Sequence, residues 1–95
     1  MKRDPSLDRL FGAILRLESP EECYAFFEDL CTIKELADMS QRLDVAVLLS
    51  AGLSYQKIMD RVDVSTATIG RVSKCLNHGA GGYQSAIKKL KENEA

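Results

Sequence analysis

SYQKIMDRVDVSTATIGRVSKCL, from Ser54 to Leu76, decides how this chain folds. It holds two short helical patterns with a break between them. Ser54 can cap a helix from Tyr55 to about Val62, and Ser65 can cap another from Thr66 to about Leu76. Asp63-Val64-Ser65 interrupts the apolar period. Ile58 and Val62 face inward from the first helix, Val64 plugs the turn, and Ile69, Val72 and Leu76 face inward from the second. Two helices knotted in this way predict a helix-turn-helix over about residues 54–76. Met59 stands where a small residue is usual, which predicts a wider crossing or a variant geometry. Asp63 stands at the turn glycine and is expected to take the left-handed conformation, which Asp tolerates.

The second helix has an outer face. Each residue turns the helix by about 100°, so Ala67, Arg71, Lys74 and His78 lie opposite the apolar knot, with Thr66 and Gly70 beside them. That face is small at its start and basic toward its end. Small residues allow a helix close to base edges, and a Thr methyl or Ala can touch a thymine methyl. Arg and Lys neutralise phosphate, and Arg reads guanine. The candidate DNA contacts are Thr66, Ala67, Thr68, Gly70, Arg71 and Lys74, with Gln56 and Lys57 on the first helix as phosphate contacts. Thr66, Ala67 and Thr68 are expected nearest the bases. Double-stranded DNA is the expected partner.

Working outward, the rest of the chain reads as helix, an all-α class. Its 95 residues allow one domain, with 45% apolar and 28% charged residues. Leu7, Leu10, Phe11, Ile14 and Leu17 share a helical stripe that starts near Pro5. Ser19-Pro20-Glu21-Glu22 is a capping box, followed by Cys23, Phe26, Phe27, Leu30 and Cys31 on one face. Thr32-Ile33-Lys34-Glu35 repeats the box and opens a third element through Leu36, Met39 and Leu43. Val45 to Leu49 is apolar all round, which demands burial on every side. Short helices of one chain struggle to surround it, so an intertwined homodimer is expected; the alternative is cover by the chain's own first, second and last helices. Gly52 closes that segment. Asn77 to Gly82 reads as a flexible linker that lets the last helix dock variably, and Tyr83, Ile87 and Leu90 share a face of a helix over about 83–91. The tail LKENEA is expected to fray.

Net charge is −1, but its distribution is uneven. Residues 1–52 are acidic overall and residues 53–95 basic, as a one-sided contact with phosphate requires. Cys23, Cys31 and Cys75 form no C-x-x-C pair, so they are expected to be small buried hydrophobes in a reducing, cytoplasmic setting. No signal peptide and no membrane span is expected. His78 beside glycines is not a nucleotide loop, because no G-x-x-x-x-G-K-[ST] is present. The Glu21/Glu22 and Asp60/Asp63 pairs come with no nucleophile or metal-binding histidine, and Tyr24, Phe26 and Phe27 are expected in the core. Neither catalysis nor a metal is expected.

From Thr32 to Leu76 the chain resembles the Trp repressor-like family, above all in LLSAGLS (Leu48 to Ser54) and ATIGRVSKCL (Ala67 to Leu76). Within it the chain looks closest to the short Trp repressor-related proteins called YerC/YecD. The resemblance implies an all-α, interlocked homodimer and transcriptional repression at a near-palindromic operator, bound in the nucleoid. It also implies a place for a corepressor. Arg71 matches the arginine that holds the tryptophan carboxylate in the Trp repressor. The second arginine falls at Gln41, with Arg42 one position on, and the glycine that admits the indole falls at Val72. Arg71 and Arg42 are therefore effector candidates, but tryptophan is not expected and no cofactor is. The rival reading is a helical dimeric protein–protein interaction module that uses the helix-turn-helix as a scaffold.

Overall fold

The first five helices among the described residues begin where a side chain satisfies N–H groups that have no partner inside the helix. The computed structural model describes residues 1–93, and among these the regular structure is entirely α-helical. Helix α1 (Pro5–Leu15) is capped by Asp4, whose carboxylate accepts from the Ser6 N–H at 2.7 Å and the Leu7 N–H at 3.2 Å. Helix α2 (Pro20–Leu30) starts at Ser19, whose hydroxyl accepts from the Glu22 N–H at 3.1 Å. The returning Glu22 carboxylate takes the Glu18 N–H at 2.6 Å, one residue before the cap. Helix α3 (Ile33–Ser50) opens on a reciprocal box: the Glu35 N–H donates to the Thr32 hydroxyl at 3.1 Å, and the Thr32 N–H to the Glu35 carboxylate at 2.9 Å. The Thr32 backbone N–H, and then its hydroxyl, hold the Glu35 carboxyl below the ordinary glutamate value.

Helix α3 runs unbroken through the apolar segment, so the third element and Val45–Leu49 are one helix. It ends in a Schellman turn. The Leu53 N–H reaches the Leu48 carbonyl at 3.1 Å and the Gly52 N–H the Leu49 carbonyl at 3.0 Å, with Gly52 at φ 89°. Helices α4 (Tyr55–Arg61), α5 (Thr66–His78) and α6 (Gly82–Asn93) complete the chain.

The chain divides into two compact units, one of residues 1–36 and one from residue 37 onward, with α3 beginning in the first. In the first unit, α1 and α2 hold no fully buried residue. Phe26 and Phe27 meet edge to face at 5.4 Å, both half-buried, but Tyr24 is 80% exposed rather than in the core.

The second unit owns the buried core: Val45, Ala46, Ile58, Ile69, Val72, Leu76 and Ile87. Val47, Leu48 and Leu49 lie half-buried against it. So α4, α5 and α6 seal Val45 and Ala46, and the rest of the apolar segment keeps part of its surface in solvent. Each large aliphatic side chain here is worth roughly 1.5–3 kcal/mol of burial.

Candidate nucleic-acid interface

The helix-turn-helix stands on the apolar contacts read from its sequence. Ile58 of α4 and Ile69 of α5 are fully buried, and Val62 and Val64 of the turn pack half-buried against the same cluster. Met59 also packs against it. Ser54 caps α4 by accepting from the Lys57 N–H at 3.3 Å. Ser65 caps α5 by accepting from the Thr68 N–H at 3.2 Å. The turn differs from expectation at Asp63. Among the described residues no non-glycine has a positive φ, and Val62 is extended at φ −130° and ψ 133°. An extended connection needs no left-handed residue, which is why an aspartate can stand where a glycine is usual.

The far end of the unit also differs. Helix α5 continues through Asn77 and His78, so the break is confined to Gly79, Ala80 and Gly81. The Gly79 N–H closes on the Cys75 carbonyl at 2.9 Å, and a Cβ at Gly79 would run into that same oxygen. Gly81 has φ 86°. Beyond it α6 packs on the core: Ile87 is buried, Tyr83 lies against the cluster, and the Gln84 side chain donates to the Leu76 carbonyl at 2.7 Å. Leu90 is 47% exposed and does not join them. The predicted fraying of Leu90 to Ala95 starts too early, since α6 extends to Asn93; Glu94 and Ala95 lie outside the described residues.

Around α5, Ala67, Arg71, Lys74 and His78 are exposed opposite Ile69, Val72 and Leu76, with Thr66 exposed and Gly70 half-buried beside them. Gln56 and Lys57 are exposed on α4, and the Gln56 amide donates to the Asp60 carboxylate at 3.0 Å. Thr68 stands apart from this face. It is half-buried, its hydroxyl accepts from the Ser65 hydroxyl at 3.2 Å, and it lines a cavity on the flank of α5.

That cavity has a volume of about 240 Å³. Thr68, Arg71, Val72 and Cys75 line it from α5, Asp38, Gln41 and Arg42 from α3, and Tyr83 from α6. The two effector candidates, Arg42 and Arg71, thus reach one cavity, although Arg42 is displaced by one residue from the position expected for an arginine. Cys75 is exposed on its wall rather than buried, and Cys23 and Cys31 are half-buried. That Cys75, Tyr83 and Asp38 share a cavity wall with Arg71 is not legible in the sequence. Stepping about 100° per residue does put Thr68 and Cys75 together on the flank that the cavity occupies.

A six-helix order with this helix-turn-helix agrees with what is known of other proteins. The family model described as Trp repressor protein matches residues 5–91. This chain belongs to the Trp repressor family. Its fold is that of DNA-binding regulators. The chain is 50% identical over 92 residues to the uncharacterized protein YerC of Bacillus subtilis (strain 168), covering 97% of this chain and 88% of that one. A crystal structure of a candidate Trp repressor from Staphylococcus aureus superposes with a TM-score of 0.90 at 45% identity, covering 94% of this chain and 89% of the other. A TrpR like protein from Eubacterium eligens ATCC 27750 does so with a TM-score of 0.90 at 42% identity, covering 94% and 92%. No helix among the described residues is long and apolar enough to cross a membrane.

Proposed function

We propose that this Trp repressor-family chain is a sequence-specific transcriptional repressor that binds a near-palindromic operator as a homodimer. The observation that carries the reading is the exposed face of α5. A helix anchored by Ile69, Val72 and Leu76 turns Thr66, Ala67, Arg71 and Lys74 to solvent. Thr66 and Ala67, at the start of α5, would approach base edges, and Arg71 and Lys74 would meet phosphate or guanine. Gly70 keeps the middle of the face low. Lys57 would contact phosphate where α4 crosses the backbone. Gln56, bound to Asp60, would first have to exchange that partner. Thr68 serves the cap of α5 rather than the bases. The setting for this activity is the cytoplasmic nucleoid.

The homodimer is supported by α1 and α2, whose apolar stripes find no full burial within one chain: Phe11 of α1 is 44% exposed and Leu30 of α2 49%. A second copy would cover them. The cavity beside Arg71 does not favour tryptophan. Val72 stands where the Trp repressor has the glycine that admits the indole, and Gln41 stands where it has the second arginine, so only Arg71 is in register on the wall of the cavity.

The test is selection of bound fragments from source-genome DNA by purified protein, beside Arg71→Ala. Enrichment of a short inverted repeat that the variant loses is the expected result. If fragments bind equally well to both proteins, or binding ignores added salt, the α5 face is not the reader and a protein-binding role for this dimer takes its place.

A further inference from the structure

Helix α5 is held near both ends by glutamines from elements outside the helix-turn-helix. Gln41, half-buried on α3, donates from Nε2 to the Asp63 carbonyl at 2.6 Å. Asp63 lies in the α4–α5 turn, just before the Ser65 cap. Its carbonyl belongs to neither helix ladder and is open to a side-chain donor, although Asp63 itself is exposed. At the other end, Gln84 of α6 donates from Nε2 to the Leu76 carbonyl at 2.7 Å. That carbonyl lies in the last turn of α5, where acceptors have no partner inside the helix. Both bonds end on main-chain oxygens, so they constrain the path of the backbone rather than one rotamer. Between them lies the cavity whose wall includes Gln41, with the Gln41 amide spent on the turn.

We infer that Gln41 and Gln84 are positioning residues that set α5 for DNA, so that the chain binds its operator without a small-molecule corepressor. The inference rests on the DNA-binding reading above. The chain's own side chains fix the recognition helix against α3 and α6. A ligand in the flanking cavity would then have little left to order.

The test uses full-length protein dialysed free of metabolites and an operator fragment from the genomic selection. Gln41→Met keeps length and removes the donor, and Gln84→Met does the same at the other end. Gln41→Arg restores a donor at the turn. Two quantities are read: operator affinity, and amide hydrogen exchange at Val64, Ser65 and Thr66. Loss of one hydrogen bond of ordinary net strength predicts about two- to tenfold weaker operator binding for each Met variant. Faster exchange in the turn of Gln41→Met is expected, with recovery of both readouts in Gln41→Arg. Thermal unfolding identifies any variant whose loss comes from global unfolding, and the arginine variant then carries the comparison. If Gln41→Met matches the wild type in affinity and exchange, the inference fails. It fails equally if the wild type binds its operator only when cell metabolites are added. If the wild type binds no DNA with or without them, the DNA-binding reading itself fails, and the exchange data still decide whether the pin exists.

Discussion

On the outer face of α5, charge and size act separately. Lys74 is exposed toward the end of the helix, where it can reach phosphate but few bases. Lys74→Ala should weaken binding to all sequences alike and lower the slope of log affinity against log salt by about one, measured by titration at several salt concentrations. Arg71 can add base contacts, so Arg71→Ala should also blur sequence preference, by roughly 1–3 kcal/mol at the position it reads. Glycine acts on the backbone instead. Gly52→Ala puts a Cβ on a residue at φ 89° and should cost about 1–2 kcal/mol in denaturant unfolding, although the space around it is open. These residues were legible because a helical projection separates Ala67, Arg71 and Lys74 from Ile69, Val72 and Leu76. The exposure of Cys75 and the place of Thr68 on the cavity wall were not legible because both sit between the two faces, where projection alone does not tell cavity from solvent or core.

Among the elements, α3 makes a claim about pH. The Thr32 N–H and hydroxyl lower the Glu35 carboxyl in the folded chain. Its contribution is therefore present above the unfolded glutamate value and lost as pH falls through the lowered folded one. The stability difference between wild type and Glu35→Gln, followed by thermal unfolding, should shrink as the solution is acidified through that range. A difference constant with pH would show that the box does not use the charge. The knot between α4 and α5 makes a larger claim. Ile69→Ala empties a fully buried site and should cost about 2–5 kcal/mol, a large share of the stability of a small domain. Most helix starts were readable because capping residues announce them, and Ser19, Thr32, Ser54 and Ser65 all bond as caps; α1 was read from Pro5, and its cap is Asp4. The end of α5 was not. Asn77, His78 and the glycines look alike as linker residues, and only the packing of α6 and the Gln84 bond decide that α5 runs to His78. The Gln41–Asp63 bond joins residues 22 apart, and no local pattern announces such a contact.

For the whole molecule, the division of burial matters most. The core of α3 to α6 is complete enough to seal Val45 and Ala46, but α1 and α2 hold no fully buried residue. All-round apolarity of the Val45–Leu49 segment pointed to burial on every side, which holds within one chain for Val45 and Ala46 but not for Val47, Leu48 and Leu49, because the cover depends on packing between distant elements. The partly exposed remainder and the stripe of α1 predict a dimer at micromolar concentration in sedimentation equilibrium. A folded monomer there would remove the two-fold reader from the proposed function. The central claim is that two α5 helices read successive major grooves. Its most direct measurement is methylation interference at guanine N7 on the selected operator, with wild type and Arg71→Ala side by side. Interference is expected in two half-sites about one helical turn apart, related by two-fold symmetry and lost with Arg71. Uniform interference along the fragment, or a two-site pattern that persists in Arg71→Ala, would contradict it.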